Sequence, residues 1–252
     1  MSTAIIIPAR FESTRFPGKP LALISGKPMI EWVVNAAKKS KLANKIIVAT
    51  EDERILSFVK ESLKVDACLT SRDHKCGTDR ITEVVKKYPE IEYVVNLQGD
   101  EPLMPSEYID KVIQLFNCQF SIVNSQFPVV TSLVTPITNF EDLNNPNIVK
   151  AVMDKDNFAL YFSRSQIPFN RDSRKDIKYF RHIGIYGYTR EAILKFSLLP
   201  PSALEMAEQL EQLRALEDGM KIKLGIVERA YPAIDRPSDV KEVEKILMSS
   251  SI

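Results

Sequence analysis

Glycine is scarce in this chain: it accounts for 8 of the 252 residues, about 3%, against a typical usage of about 7%. Because tight bends and close backbone approaches require glycine, the position of each one is informative. Histidine and cysteine are scarce as well, with two and three residues, and Cys68, Cys76 and Cys118 lack the CxxC spacing. These numbers argue against a Cys/His zinc site and favour a reducing cytoplasm.

Neither sign of charge is in excess, since 34 Lys and Arg residues face 33 Asp and Glu residues, for a net charge of +1. A protein that binds duplex nucleic acid normally carries a basic excess or stripe, so we expect no nucleic-acid partner. A small anion needs only a few local cations and stays open as a ligand. Long apolar runs are missing near the start: Ala4–Ile7, ended by Pro8, is too short for a signal peptide or a membrane span, so we expect no membrane association.

What the chain does contain is an alternation of short apolar runs and amphipathic segments. Its first half predicts strands at residues 4–7, 45–49, 66–69 and 93–97, and helices at residues 28–39, 53–63, 78–87 and 105–116. Such alternation with short connections predicts an α/β fold, a mostly parallel sheet with helices on both faces. The strands are apolar throughout, as expected of a sheet that is covered on both sides.

The second half is less regular, with predicted strands at residues 129–134, 149–153, 159–162, 183–188 and 222–227 and an exposed polar loop at 170–178. A capping box at Ser202 begins one predicted helix that runs to Asp218, followed by Gly219 as its C′ residue. The apolar stripe of this helix consists of Leu204, Ala207, Leu210, Leu213 and Leu216. Residues 237–247 predict a closing helix. Because no linker or repeat is present, we predict a single domain over residues 1–252, with residues 130–190 as an elaboration of the sheet.

The loop after the first predicted strand, PARFESTRFPGKP at residues 8–20, combines Arg10, Arg15 and Lys19 with two hydroxyl side chains and a Pro-Gly turn. In open α/β sheets, ligands bind beyond the carboxyl ends of the strands. Cationic side chains and backbone N–H groups at that place can surround a triphosphate. The loop matches neither the P-loop nor the GxGxxG pattern. A solvated basic loop is the alternative, and the position after the first strand favours anion binding.

The segment NLQGDEP at residues 96–102 follows another predicted strand. Gly99 allows a close backbone approach, and Asp100 and Glu101 offer hard oxygen ligands. Magnesium favours one or two carboxylates together with substrate phosphate oxygens. An ordinary acidic turn is the alternative. Together with the cationic loop, however, this segment suggests the chemistry of a magnesium nucleotide.

These two segments are also where the chain resembles a known family, the bacterial 3-deoxy-manno-octulosonate (Kdo) cytidylyltransferases. The order and spacing of the matching motifs carry the resemblance over nearly the whole chain. The motifs are IIPARFESTRFPGKPL at 6–21, CGTDR at 76–80, NLQGDEP at 96–102, ALYFSRSQIP at 159–168, HIGIYGY at 182–188, LEQLRAL at 210–216, and Asp235 with Pro237. The loops typical of sialic-acid cytidylyltransferases and of sugar-1-phosphate nucleotidyltransferases are absent from the sequence.

The resemblance implies a fold, a reaction and a set of site residues. The fold is a three-layer α/β/α sandwich of the nucleotide-diphospho-sugar transferase type, usually as a homodimer. The reaction transfers CMP from CTP to Kdo, an acidic eight-carbon sugar, with release of pyrophosphate, requires Mg²⁺, and supplies lipopolysaccharide assembly in the cytoplasm. The implied nucleotide-binding residues are Pro8, Ala9, Arg10, Arg15, Lys19, Ser71, Arg72, Cys76, Gly77, Thr78, Arg80, Gln98 and Asp100. The implied sugar-binding residues are Arg164, His182, Tyr186, Glu211 and Gln212; Asp100 and Asp235 would position the metal; and Arg10, Lys19, Asp100 and Asp235 would serve catalysis.

Several of these residues have a simpler interpretation. Arg164 suits a sugar carboxylate because a guanidinium binds it bidentately, yet a surface ion pair would also explain it. His182 is interpreted as a hydrogen-bonding group for sugar hydroxyls, although structural histidines beside apolar strands are more common. On the predicted helix, Glu208, Glu211 and Gln212 share a polar face that is ordinarily solvated. His74, in a charged loop, is expected to be solvated.

Two positions depart from the family pattern: Arg236 replaces a small hydroxyl residue beside Asp235, and Cys76 replaces a common serine. Three alternative functions stay open. The enzyme could use a related acid sugar, such as 8-amino-Kdo or another ulosonate. The chain could be a catalytically silent nucleotide-binding protein on the same fold. Nucleic-acid binding is disfavoured by the near-neutral composition.

Overall fold

The computed structural model describes residues 2–74, 76–120 and 129–249, without the side chains of residues 117–120 and 129. The described residues of Met1–Asp110 and Tyr231–Ile252 form one compact unit, and those of Lys111–Ala230 form the other. The side chain of Cys118 lies outside the described residues. No helix in the described ranges is long and apolar enough to cross a membrane.

The first unit is built on a four-stranded parallel sheet. Its strands are β1 (Thr3–Pro8), β4 (Lys45–Thr50), β5 (Asp66–Leu69) and β6 (Tyr93–Asn96), in the order β5-β4-β1-β6. A small hairpin of β2 (Leu23–Ile24) and β3 (Lys27–Pro28) turns through Ser25 and Gly26, both with positive φ. In the register, Ile5 of the fully buried β1 lies between Ile46 and Val95. The continuous apolar strands therefore form a sheet interior, as the sequence predicted.

The helices of the first unit are α1 (Met29–Lys38), α2 (Glu53–Phe58), α3 (Gly77–Lys87) and α9 (Val240–Ser249), and α4 (Ser106–Phe120) begins in it. Residues Val59–Leu63 continue α2 as a π-helix, and a 3₁₀ turn covers Pro237–Asp239. Ile24, Met29, Leu103, Ile234 and Val243 form a buried cluster. The burial of Ile234 fixes the backbone directly before Asp235, a candidate metal ligand.

The second unit contains a mixed sheet in the order β11-β7-β10-β8-β9. Its strands are β7 (Val129–Pro136), β8 (Lys150–Met153), β9 (Ala159–Ser163), β10 (Phe180–Thr189) and β11 (Lys221–Ile226). The β7–β11 pair is parallel and the other pairs are antiparallel. The helices are α5 (Phe140–Asn144), α6 (Arg190–Phe196), α7 (Ala203–Glu208) and α8 (Gln212–Glu217). The predicted α/β fold is confirmed, and the antiparallel pairs fall in the region that was predicted to elaborate the sheet.

The predicted continuous helix over residues 202–218 is wrong. Its capping box at Ser202 is present, but the chain leaves the helix at Gln209, whose φ is 54°, and a new helix begins at Gln212. Leu204 and Ala207 are consequently exposed, whereas Leu210 and Leu213 are buried. Gly219 takes the predicted C′ position with a φ of 80°. The periodicity could not reveal the break, because the bonds that fix this turn come from Arg164, far away in the sequence.

Candidate active site

A cavity of about 170 Å³ lies at the carboxyl ends of β1 and β6 in the first unit. The loop after β1 supplies most of its wall, the segment after β6 supplies another part, and one residue precedes α9. The lining residues are Pro8, Ala9, Arg10, Glu12, Ser13, Arg15, Lys19, Pro20, Gly77, Gln98, Gly99, Asp100 and Asp235. Nine of the residues predicted for nucleotide, metal or catalytic roles thus line one cavity, because the carboxyl ends of parallel strands meet at one edge of the sheet.

Lys19 lies between the two candidate metal ligands. Its Nζ donates to Oδ2 of Asp100 over 2.7 Å and to the Ile234 carbonyl over 2.9 Å, and lies 3.9 Å from Oδ1 of Asp235. The main chain joins the same segments, since the Ile234 N–H donates to the Asp100 carbonyl over 2.9 Å. Two carboxylates therefore converge on one cation, which is the charge arrangement that a divalent ion also requires.

Asp235 is held from two directions. Arg15 Nη1 donates to its Oδ2 over 2.7 Å, and its own N–H donates to Asp239 Oδ2. Asp239 also accepts the N–H of Arg236. Burial alone raises the pKa of Asp239, but these backbone bonds outweigh it and leave the pKa below its usual value. Asp239 is thus a fixed anion that orients the Asp235 turn, while the Arg236 side chain is exposed.

Gly99 is required by close packing beneath the cavity. A Cβ at this position would lie 2.7 Å from the Pro8 carbonyl oxygen, a distance that real Cβ contacts essentially never show. A Cβ on Gly77 would lie 3.3 Å from the Pro8 ring. The absence of side chains at Gly99 and Gly77 therefore allows the strand ends and the start of α3 to approach the loop after β1.

The predicted nucleotide residues around the start of α3 have mainly structural contacts in this structure. Cys76 caps the helix, its Sγ accepting the N–H of Asp79 over 3.4 Å, which is the task a serine would perform. Ser71 donates its N–H to Glu83, and Thr78 is buried. Gln98 Nε2 donates to Asn96 Oδ1. Arg72 is exposed.

Glu83 organises the segment that leads into α3. Burial alone would raise the pKa of its carboxyl, but hydrogen bonds from Lys87, the Ser71 N–H and His74 lower it to about 2. His74 Nε2 lies 2.6 Å from Glu83 Oε2, so the expectation that His74 is solvated is wrong. A negative charge fixed on α3 thus keeps the Ser71 segment in place at neutral pH.

Arg80 is fully buried, although the resemblance assigns it to the nucleotide region. Its Nη2 lies 3.0 Å from Oε2 of Glu51, and its Nη1 donates to the Thr70 hydroxyl. Desolvation lowers the pKa of Arg80, while the Glu51 charge opposes that effect. The other oxygen of Glu51 accepts the N–H of Phe11 over 2.8 Å. The pair therefore connects α3 to the cationic loop.

In the second unit, Arg164 is engaged by main-chain carbonyl groups. Its Nε donates to the Glu208 carbonyl over 2.8 Å, its Nη1 to Pro146 and its Nη2 to Gln209. Glu208 returns two bonds, accepting from the Ser163 hydroxyl and the Arg164 N–H. This contact network holds the turn between α7 and α8, so the interpretation as a simple surface ion pair does not describe Arg164.

Lys150 adds a buried cation to the same region. It is fully buried, and its Nζ donates to the carbonyls of Asn145, Ile148 and Arg164, which uses all three N–H groups. Desolvation lowers the pKa of Lys150, and the nearby Glu208 charge opposes the effect. Lys150 and Arg164 thus fix backbone segments near the predicted sugar-binding residues.

His182 lies on β10 beside a register shift between Ile183 and Tyr186. The buried Ser132 hydroxyl lies 2.9 Å from His182 Nε2 and donates to the Ile185 carbonyl over 2.8 Å. Desolvation lowers the pKa of His182 to about 3, so the ring is neutral at physiological pH. This state suits a hydrogen-bonding group and excludes a general base that titrates near pH 7.

The remaining predicted sugar residues lie on two elements of the second unit. The Tyr186 ring packs 5.3 Å from the His182 ring, between centroids, and both belong to β10. Glu211 and Gln212 begin α8, where Gln212 is buried. The predicted solvated polar face of Glu208, Glu211 and Gln212 is wrong, because the helix break at Gln209 separates Glu208 from the other two.

Sequence reasoning missed four carboxylate or cationic side chains that hold the site together: Glu51, Glu83, Lys150 and Asp239. Each bonds mainly to backbone or to residues distant in the sequence. Single-sequence patterns carry little signal for such contacts. The position of Glu51 directly after β4 was the one available clue, since strand ends on this edge meet at the cavity.

Asp100 and Asp235 fit the donor set of a magnesium ion. In this structure a Lys19 ammonium contacts Asp100 and lies near Asp235, so the place already attracts a cation. Within the described ranges, no group of three or more His, Cys, Asp or Glu residues forms a complete metal cage. Magnesium in proteins is commonly bound by one or two carboxylates, with water and substrate phosphate as the other ligands.

Comparisons with known proteins identify the family of the chain. A sequence model described as cytidylyltransferase matches residues 4–222. A 3-deoxy-manno-octulosonate cytidylyltransferase of Thermodesulfovibrio yellowstonii is 46% identical, with all of both chains covered. An 8-amino-3,8-dideoxy-manno-octulosonate cytidylyltransferase of Shewanella putrefaciens is 44% identical and covers 99% of this chain and 100% of the relative.

A solved structure has the same fold. The CMP:2-keto-3-deoxy-manno-octonic acid synthetase complexed with CTP superposes with a TM-score of 0.91 at 36% identity, covering 98% of this chain and 99% of that chain. The match confirms the α/β nucleotidyltransferase fold that the motifs implied.

Proposed function

The chain belongs to the family of 3-deoxy-manno-octulosonate cytidylyltransferases, and from that premise we propose that it transfers CMP from CTP to the anomeric hydroxyl of Kdo, releasing pyrophosphate. The observation that carries this function is the cavity in which Arg15 and Lys19 meet Asp100 and Asp235. Cations suit a triphosphate, and two carboxylates suit the cation that accompanies it.

The reaction needs positioning and charge stabilisation more than a protein nucleophile. The sugar hydroxyl attacks the α-phosphorus, and the bond to the pyrophosphate oxygen breaks in line. Arg10, Arg15 and Lys19 would stabilise the negative charge that grows on the leaving pyrophosphate. For this, Lys19 and Arg15 would exchange part of their bonds with Asp100 and Asp235 for bonds to phosphate oxygens.

Magnesium would be held by Asp100 and Asp235. When bound, it would supply charge stabilisation at the α-phosphate and lower the pKa of the sugar hydroxyl. We expect Asp100→Asn and Asp235→Asn each to lower kcat by about 100-fold while the protein stays folded. Asp176→Asn, which alters an exposed carboxylate of the second unit, is the matched control. Unchanged turnover in both site variants would contradict the metal assignment.

Sugar recognition is assigned to the second unit. Arg164, His182, Tyr186, Glu211 and Gln212 would contact the acid sugar, with the neutral His182 as a hydrogen-bonding partner. The residues around the start of α3, together with Gln98, would contact cytosine and ribose. Supporting this division, two groups of polar side chains occupy separate elements, each fixed by its own network of hydrogen bonds.

The identity of the sugar needs its own test, because relatives named for Kdo and for its 8-amino analogue are almost equally similar to this chain. A coupled pyrophosphate assay with CTP and a panel of sugar acids separates them. We expect release with Kdo, and weaker release with 8-amino-Kdo and sialic acid. Pyrophosphate release with 8-amino-Kdo but not with Kdo would assign the analogue as the substrate. If none of the sugar acids led to pyrophosphate release, a silent nucleotide-binding protein would be favoured.

The surroundings of the enzyme follow from its chemistry. Since the reaction consumes CTP, we place it in the cytoplasm, where the product would supply lipopolysaccharide assembly.

We also propose one functional domain and a homodimer, with residues 130–190 contributing to the sugar site and the dimer contact. In that region Leu160 and Phe169 are 62% and 83% exposed, and apolar exposure of this kind favours association. Sedimentation of Phe169→Ser against wild type tests the dimer.

A further inference from the structure

Phe11 closes the cationic loop through its backbone. Its carbonyl accepts the N–H of Gly18 over 2.9 Å, so residues 11–18 form a closed ring of chain. Arg10 directly precedes this ring and Lys19 directly follows it. The closure therefore brings together two cations that are nine residues apart in the sequence, and holds Arg15 within the ring.

Two residues from outside the loop keep Phe11 in place. Glu51 Oε1 accepts its N–H over 2.8 Å. The guanidinium of Arg54 stacks on its ring, with Cζ 3.4 Å from the ring centroid. On Gly18 a Cβ would lie 3.2 Å from the Phe11 ring, so this glycine also packs against it. The loop is thus attached at one residue to the segment that follows β4.

Arg54 is itself held in a fixed orientation. Its Nε and Nη2 donate to the two oxygens of Asp52 over 2.9 and 2.6 Å, and Asp52 also caps α2 through the Arg54 N–H. Its guanidinium plane is therefore oriented for stacking by the start of α2. Arg54 does not line the cavity, and no residue of this group belongs to the nucleotide-binding set described above.

We propose that Phe11, held by Glu51 and the stacked Arg54, is the positioning residue that sets the spacing of Arg10, Arg15 and Lys19 around the triphosphate. The proposal rests on the proposed function for its kinetic consequence, but its structural consequence is independent of that function. Loss of the stack should loosen the loop before any ligand binds. Binding of CTP should weaken, and binding of the sugar acid should stay unchanged.

The experiment compares Arg54→Ala with Arg174→Ala. The two arginines are 62% and 63% exposed, and each forms a forked ion pair with an aspartate two residues away. Of these two arginines, only Arg54 stacks on an aromatic ring among the residues that the structure describes. For Arg54→Ala we expect the KM for CTP to rise about three-fold, with kcat, the KM for Kdo and Tm nearly unchanged. Arg174→Ala should leave the KM for CTP unchanged.

Amide hydrogen exchange of the ligand-free protein gives a reading that does not depend on activity. We expect the Phe11 and Gly18 N–H groups to exchange at least about three-fold faster in Arg54→Ala than in wild type, and still faster in Phe11→Leu. Arg174→Ala should match wild type. If Arg54→Ala and Phe11→Leu match Arg174→Ala in exchange, the positioning role is overturned, even if wild type makes the proposed product. If wild type makes no product but exchange responds, the function fails and the positioning role stands.

Discussion

At the scale of single residues, the structure separates groups that serve chemistry from groups that serve geometry. Lys19, Asp100 and Asp235 converge on one point, whereas a residue such as Asp239 holds the neighbouring backbone. Cys76 is an example of the second kind, since its sulfur replaces a serine oxygen as a helix cap. The departure from the family pattern at this position is therefore explained by capping.

Gly99→Ala should damage the active site rather than the fold in general. The new Cβ would press on the Pro8 carbonyl, which is backbone and cannot rotate away, so the cationic loop would shift. A displacement near 1 Å costs about 100-fold in kcat/KM, measured by pyrophosphate release. Gly225→Ala is the control, because its Cβ would lie 2.8 Å from a Leu115 side chain in the second unit. It should lower Tm and spare the KM for CTP; equal kinetics in the two variants would refute this account.

His182 should not titrate between pH 5 and 8, because desolvation lowers its pKa to about 3. The unfolded chain binds a proton below about pH 6.5 and the folded chain does not, so stability falls as pH falls from 6.5 towards 3. Through this histidine, the free energy of unfolding falls by at most about 1.4 kcal/mol for each unit of pH. Ring-proton NMR checks it, with His74→Gln leaving one histidine signal; a pKa near 6.5 for that signal would show that the ring is solvated.

At the scale of elements, contacts of charged side chains join segments that the sequence pattern treats as independent. The Glu51–Arg80 pair links the end of β4 to α3, and Arg164 links β9 to the turn between α7 and α8. These contacts explain why the strands were predicted well and the 202–218 helix was not. Strand periodicity is local, whereas the break at Gln209 depends on a guanidinium 45 residues away.

Removing one partner of the Glu51–Arg80 pair should lower the free energy of unfolding strongly, whereas replacing both partners should lower it little. Glu51→Leu leaves a buried guanidinium without its charge partner, so we expect a loss of about 3–5 kcal/mol in the free energy of unfolding. Combining Glu51→Leu with Arg80→Met removes both charges and should recover most of it. Urea denaturation measures both variants. Additive losses in the double variant would mean that the two side chains do not act as a pair.

At Arg164, the planar shape of the side chain should matter more than its positive charge. Lysine keeps the positive charge but cannot reach the carbonyls of Pro146, Glu208 and Gln209 together. We therefore expect Arg164→Lys to raise the KM for Kdo about ten-fold, as much as Arg164→Met does, because both variants lose the planar fork that holds the α7–α8 turn beside the proposed sugar contact. If Arg164→Lys retains nearly full affinity while Arg164→Met does not, the guanidinium acts mainly as a charge on the sugar carboxylate.

At the scale of the whole molecule, the sequence predicted the α/β class, the parallel strands and the residues of one cavity. The apolar runs, the cationic loop and the acidic strand end are local signals, whereas Gly77 and Gln98 were expected only from the family resemblance. Asp100 and Asp235 are 135 residues apart, and it was the family resemblance that joined them. The carboxylates that support the site could not be predicted, since sequence patterns carry little signal for bonds from backbone N–H groups, as at Asp239, or for a contact such as that of Glu83 with His74.

The proposed reaction specifies which bond of CTP is broken and what accepts the nucleotide. ³¹P NMR of wild-type enzyme with CTP, Mg²⁺ and Kdo tests it directly. We predict that the three CTP resonances are replaced by one phosphodiester resonance and one pyrophosphate resonance, in equal molar amounts, and only when Kdo is present. Conversion to CDP and inorganic phosphate, or to CMP without Kdo, would contradict the account.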